Sequence, residues 1–429
     1  MSINIKYKII TLDNGIRVIS VPLKSTAAVT SLVLVGTGNH YEPKDKVGLS
    51  HFLEHLVFKG SKKYPSAIEI STTLESIGAQ YNAFTSSEQT GFYVKTIRDK
   101  AELALDVMSD FLKNPLFSEE EIERERGVII EEMRMYYDDL PRTAHDLLGK
   151  ALYGDQPAGY TDEDQEKSIP NITPKDIKDY FKKQYVGKNI VVVLAGDMSN
   201  EDAEVLAKKY FDDVPKGEPF EKEAVSPVDP NGERIYSKEK ESGQTHLAFG
   251  FPGPSINDEL RYPAGLLSII LGGGMSSRLF TEVRERLGLA YYVGAGSARG
   301  TDFGYFMVRA GVANDNVEKA LEVIIRELKK IKKEPVTEKE LQKAKSAVEG
   351  GILLGLETSD DVAGYYGKLE LLTGKILQPE EYLEKIKDIT VDDIQEAAKS
   401  ILKHDTMRLS VVGPSIEEKK ITDIIKNIS

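Results

Sequence analysis

Residues 101–108 (AELALDVM) and 317–324 (VEKALEVI) read alike, as do residues 116–121 (LFSEEE) and 335–340 (PVTEKE), at an offset of about 216–219 residues in both cases. A repeat at half the chain's length constrains the fold more than any single motif. Both halves must build the same kind of unit, and 429 residues are enough for two. Between the halves, residues 214–239 gather Pro215, Pro219, Pro227 and Pro230 with Gly217, Gly232 and many charges, the composition of a connecting segment. The expected organisation is a first domain over 1–213, a linker over 214–239 and a second domain over 240–429.

Local patterns make each unit α+β. Residues 3–12 and 16–22 are rich in β-formers around Asp13-Asn14-Gly15, a tight-turn signal, so the chain is expected to open with a hairpin. An apolar run over 29–35 ends at Gly36, and from Gly48 the spacing becomes helical through His51, Phe52, His55 and Leu56. Residues 81–96 alternate as a strand, residues 100–112 have helical periodicity, and Ser118 followed by Glu121 opens a long helix that runs past Met133.

Composition narrows the chemistry. With 56 basic against 69 acidic residues the net charge is −13, and no Lys/Arg run can track a phosphate backbone, which excludes nucleic acid as the expected partner. No apolar run reaches the roughly 18 residues of a membrane span, and the N-terminus shows no secretory pattern, so a cytoplasmic location is expected. The absence of Cys removes disulfides, thiolate metal sites and Cys nucleophiles together. Any bound metal must be held by His and carboxylate.

His51-Phe52-Leu53-Glu54-His55 has the residues for such a site. Positions i and i+4 of a helix lie on one face about 6 Å apart, so both imidazoles can hold one ion while Glu54 stands beside them. Zn²⁺ suits this set, and a neighbouring carboxylate can take a proton from its water. Two histidines on a core helix can also be packing residues, but this spacing rarely arises by chance among six His. A third ligand is required, and Glu121, Glu125, Glu131 and Glu132 on the later helix are nearly equivalent by spacing. The corresponding segment of the second half, residues 264–271 (AGLLSIIL), has no ligand at all. Only the first half can hold the metal.

GLSHFLEHLVFKGS, followed some seventy residues later by ERERGVIIEEMRMY, resembles the pitrilysin/insulinase superfamily of zinc metallopeptidases. Within it the chain is similar to the short two-domain branch of bacterial processing-protease-like proteins and mitochondrial processing peptidase subunits. The resemblance implies two homologous α/β-sandwich domains, with mixed, mostly antiparallel sheets and helices packed on one face. It implies zinc held by His51, His55 and Glu132, with Glu54 as general base and Glu125 supporting activity from outside the ligand set. In the second half, LGGGMSSRLFTEVRERLGLAYYVG matches the family's Arg-then-Tyr pattern through Arg284 and Tyr291, which implies contact with the substrate carbonyl, where a cationic or phenolic donor stabilises an oxyanion. The three glycines at 272–274 lack the Lys of a phosphate loop and read as a flexible turn. Asn82, Ala83 and Phe84 match the edge strand that takes up substrate by main-chain pairing, and Phe58 a pocket position past the scissile bond.

One departure concerns specificity. Where relatives that recognise arginine before the cleavage site carry two acids, this chain has Arg142 and Asp146. The overall implication is an endopeptidase for unfolded or short peptides, enclosed by pairing of two chains as a homodimer. The alternatives are a structural or assembly subunit without activity, a processing peptidase that needs a non-identical partner, and a zinc hydrolase of non-peptide substrates.

Overall fold

The computed structural model describes residues 5–414 and 418–426. Residues 3 and 4 of the expected opening strand lie outside them. The hairpin forms around Asn14-Gly15, with β1 (Lys8–Thr11) antiparallel to β2 (Arg17–Pro22). Gly15 turns at φ +97°, where a side chain would be strained. The buried Asn14 amide donates to the carbonyls of Phe211 at 2.7 Å and Val214 at 3.1 Å.

Four more strands complete the first sheet: β3 (Ala28–Val35), β4 (Gln80–Thr85), β5 (Thr90–Ile97) and β6 (Ile190–Gly196). Their order is β1-β2-β6-β3-β5-β4, and every pair is antiparallel except β2 with β6. The segment 81–96, expected as a single strand, is therefore corrected to most of a hairpin. Its turn, Ser86-Ser87-Glu88-Gln89, closes with Ser86 N–H on the Gln89 carbonyl at 2.8 Å. That turn contains no Gly or Pro, so the breakers that mark the other turns are missing.

Residues of β3 and β6 are apolar almost throughout because both faces of the sheet are covered. On one face Val33 and Phe92 are fully buried, and Phe92 meets Phe111 of helix Ala101–Lys113 at 5.7 Å between ring centroids. On the other face Leu32, Leu34, Val191 and Val193 pack against Val362, Ala363 and Tyr366 of helix Ser359–Thr373. A Cβ at Gly367 would stand 2.8 Å from Leu34 Cδ1 and 2.9 Å from Val193 Cγ2, so the helix lies this close only because that residue is glycine.

The second sheet repeats the plan. It consists of β7 (Ile235–Glu239), β8 (Gln244–Pro252), β9 (Ala290–Arg299), β10 (Gly304–Ala313) and β11 (Arg408–Gly413), in the order β7-β11-β8-β10-β9. The β7–β11 pair is parallel and the rest antiparallel, matching β2-β6-β3-β5-β4 strand for strand. Leu148, Leu152 and Tyr153 of helix Leu140–Tyr153 pack on Ala248 and Tyr305, and a Cβ at Gly250 would meet Leu148 Cδ1 at 2.7 Å. The fold is α+β and duplicated.

The compact units are interleaved in sequence. The first runs to Glu132 and adds Glu163–Glu223 and Ile352–Glu380; the second comprises Met133–Asp162, Ala224–Gly351 and the chain from Glu381 onward. Each sheet is thus dried on one face by a helix from the other half of the sequence, and the last five residues of the expected linker form β7.

Candidate metal centre and active site

The motif occupies helix Leu49–Leu56, whose residues Phe52, Leu53 and Leu56 are buried and fix its rotation. Gly48 enters it at φ +107°. The Glu42 carboxylate accepts from the N–H groups of Gly48 at 2.6 Å and Ser50 at 2.5 Å, supplying the free donors of the first turn with an anion. Burial pushes the Glu42 carboxyl above its usual range, although the bonds from Ser50 and Gly48 and the nearby His51 pull the other way.

His51 and His55 stack edge to face with centroids 4.9 Å apart, and both present Nε2 to helix Glu119–Tyr137. There Glu132 Oε2 lies 3.6 Å from His51 Nε2 and 3.4 Å from His55 Nε2. The other acids of that helix go elsewhere. Glu121 pairs with Arg124, Glu131 is exposed, and Glu125 takes the far nitrogen of His55, Nδ1, at 3.0 Å. Lys59 holds the second oxygen of Glu125 at 2.7 Å. Burial raises the Glu125 carboxyl, but the hydrogen bonds from His55 and Lys59 outweigh it and leave it below its usual range. His51 Nδ1 faces the side-chain amide of Gln165 at 2.5 Å. Glu54 makes no hydrogen bond or ion pair among the described residues, so its carboxylate is free to act.

This donor set fits zinc. The ligand atoms of His51, His55 and Glu132 all lie within 4.8 Å of one another. Two donors about 2.05 Å from one tetrahedral ion lie roughly 3.3 Å apart, and both His–Glu132 separations, 3.4 and 3.6 Å, approach that value. Two imidazoles and a carboxylate leave the fourth position that catalytic zinc keeps for water.

Other expected site residues fall into local groups. Asn82, Ala83 and Phe84 are on β4, the last strand of its sheet, and Asn82 and Phe84 are exposed. Phe84 opposes Gly91, where a Cβ would sit 2.2 Å from its ring. Thr85 Oγ1 reaches the Ser50 carbonyl at 3.5 Å, tying β4 to the motif helix. Phe58 packs against Phe111 at 5.0 Å and against Tyr81 and Phe92 at 6.2 Å. In the second unit, Arg284 projects from a π-helical turn over Phe280–Arg286, its guanidinium 5.8 Å from the ring of Tyr291, which is 72% exposed. Among the described residues Arg284 has no acidic partner. Within the glycine run Gly272 is a close approach, since a Cβ there would lie 2.1 Å from the Ala295 nitrogen, whereas nothing lies within 4 Å of one at Gly274. Arg142 forks onto Asp162 at 2.8 and 3.1 Å and lies 3.5 Å over the ring of Tyr136.

Sequence reasoning missed Glu42, Lys59 and Gln165. Glu42 and Gln165 lie outside every quoted segment and Lys59 lies within one without a role of its own, so only the folded neighbourhood marks them.

The chain is duplicated and α+β, and its first half alone carries H-x-x-E-H on one helix with a facing glutamate on another, the arrangement expected from the resemblance to inverted-motif zinc peptidases. A family model described as Insulinase (Peptidase family M16) matches residues 17–164, and one described as Peptidase M16 inactive domain matches residues 171–348. YmxG of Bacillus subtilis (strain 168), named an uncharacterized zinc protease, is 32% identical over 94% of this chain and 98% of its own. An uncharacterized zinc protease of Rickettsia felis is also 32% identical, over 95% and 98%. The crystal structure of a protease from Helicobacter pylori superposes with a TM-score of 0.87 at 27% identity, covering 96% of this chain and 100% of that one. The chain belongs to peptidase family M16. No helix among the described residues is long and apolar enough to cross a membrane.

Proposed function

We propose that the protein is a zinc-dependent endopeptidase that cleaves unfolded or short peptides in an enclosed chamber, with Glu54 as general base. The observation that carries this reading is the convergence of His51, His55 and Glu132 beside an unengaged Glu54. Zinc, when bound there, supplies Lewis acidity that polarises a carbonyl and brings the pKa of a coordinated water towards about 7. His51, His55 and Glu132 hold the ion, while Glu125 and Lys59 keep His55 turned with Nε2 inward. Glu54 accepts the proton of the attacking water and returns it to the departing amine, so the same carboxylate is base and then acid. The substrate pairs with β4 as an added strand, a mode that reads backbone more than side chains and makes specificity loose. Arg284 and Tyr291 donate to the oxygen on which negative charge develops. Enclosure comes from pairing two chains in a cytoplasmic homodimer.

The fork of Arg142 onto Asp162 favours general peptide degradation over arginine-directed processing, since a cation stands where relatives carry an acid. Glu54→Gln should retain stoichiometric zinc and lose about 10²–10⁴-fold in turnover of a fluorogenic peptide. Wild-type turnover by a zinc-replete variant would overturn the reading.

A further inference from the structure

Each imidazole of the metal centre has a second nitrogen, and the two are held differently. His55 Nδ1 meets a carboxylate, Glu125, which is itself paired with Lys59. His51 Nδ1 meets a neutral amide, that of Gln165, whose Nε2 stands 2.5 Å away and whose oxygen takes the same place when the planar end is turned over. Gln165 lies in the short helix Asp162–Ser168, and several bonds tie the chain around it to both metal-bearing helices. Ser168 Oγ donates to the carbonyl of Val47, just ahead of the motif helix. Arg126, on the acid-bearing helix, donates to the carbonyls of Ile169 and Ile172, the latter at 2.9 Å. Gly48 leaves the space: a Cβ there would come within 3.0 Å of Gln165 Cγ and 3.1 Å of Ile169 Cγ1.

We propose that Gln165 is a positioning residue for His51, accepting the Nδ1 hydrogen through its amide oxygen so that the Nε2 lone pair points to the site shared with His55 and Glu132. A side-chain amide offers one acceptor and two donors on a planar end, and a half-turn of that end brings the oxygen to Nδ1. An imidazole with its hydrogen pinned on one nitrogen has a single tautomer and a fixed ring plane, which is how outer partners raise metal affinity. The amide does this without adding charge. His51 is thus orientated by a neutral group and His55 by an anion, and an ion held there would be more electron-poor than one with two carboxylate partners behind its imidazoles. This inference rests on the proposed zinc ligation by His51.

The test is zinc affinity, measured without substrate by competition with a chromophoric chelator, with circular dichroism confirming the fold of each variant. Gln165→Ala should weaken zinc binding about 10–100-fold, the usual cost of losing an outer partner. Gln165→Glu, which keeps an acceptor at the same reach, should bind at least as tightly as wild type. Lys46→Ala breaks bonds from the same region to the Asn171 carbonyl and Asp176 without touching His51, and should leave affinity unchanged. Wild-type affinity in Gln165→Ala, or a loss in Gln165→Glu as large as in Gln165→Ala, would overturn the proposal. A loss in Lys46→Ala equal to that in Gln165→Ala would do so too, by making the effect general. His51→Ala separates the two readings. If it keeps zinc, the ligand assignment fails; if it loses zinc while Gln165→Ala does not, only the role of Gln165 fails.

Discussion

Glu125 accepts from His55 Nδ1 at 3.0 Å, and with that single contact it decides which nitrogen of His55 is left for a metal. Its second oxygen is held by Lys59 at 2.7 Å, so the carboxylate cannot swing away to become a ligand. Glu125→Gln keeps an acceptor but removes the charge that makes the imidazole a better donor. Zinc affinity should fall about 10–100-fold, with Glu54 still in place. Equal chelator-competition curves for variant and wild type would rule this role out.

Glu131 and Glu132 are adjacent in sequence and opposite in consequence. Only Glu132 comes within reach of both Nε2 atoms, while Glu131 is exposed. Metal analysis of Glu132→Gln after dialysis should find little zinc, and Glu131→Gln close to one ion per chain. Loss confined to Glu131→Gln would refute the ligand assignment.

The proposed pairing of chains makes a complementation prediction. If Arg284 and Tyr291 of one chain serve the zinc of another, Arg284→Ala and His55→Ala should each be nearly inactive alone. Co-expressed, they should regain roughly a quarter of wild-type activity, because half the dimers are mixed and each mixed dimer has one intact site. Mixed dimers verified by mass and still inactive would show that the site is not shared in this way.

Asp146 gives a pH dependence whose sign follows from its surroundings. Burial, reinforced by neighbouring Asp162, pushes its pKa up to about 7, against the pull of Arg142. A carboxyl raised in the folded state contributes stability that is fully present below its unfolded pKa of about 3.9 and is lost as pH rises to the folded value. Thermal stability attributable to this residue should therefore decline between roughly pH 4 and 7 and stay low above. Burial, with Arg309 and Arg142, pushes nearby His145 below its usual range. Asp146→Asn should raise stability at pH 8 by on the order of 1–2 kcal/mol and change little at pH 4, the Asp162 coupling spreading the effect over two carboxyls. Unfolding curves at the two pH values check this; a variant less stable than wild type at pH 8 would contradict it.

The hairpin at Asn14-Gly15, the motif helix and the acid-capped helix were legible because each carries its own local punctuation. Spacing could also name His51, His55 and Glu54, since one helix fixes their geometry. It could not choose among Glu121, Glu125, Glu131 and Glu132, because that choice depends on how two helices rotate against each other. The family resemblance favoured Glu132, and the geometry places that residue against both imidazoles. Gln165 was invisible for the same reason as the β4–β5 turn: nothing in its immediate sequence distinguishes it. The exchange of helices was hidden too, since an amphipathic pattern over residues 140–153 or 359–373 states that a face is buried and leaves unsaid against which sheet.

Helices Leu140–Tyr153 and Ser359–Thr373 sit at equivalent places in the repeat, and each covers the sheet of the opposite half. A chain severed within the linker would leave Leu32, Leu34, Val191 and Val193 wet in one fragment and Ala248 bare in the other, so neither piece is a folding unit on its own. The same symmetry reaches backwards. An unduplicated ancestor with this helix could have dried its sheet only by trading the helix with a second copy, as a domain-swapped pair. Fusing such a pair end to end would turn obligatory partners into one polypeptide in which a single half needs to carry metal ligands.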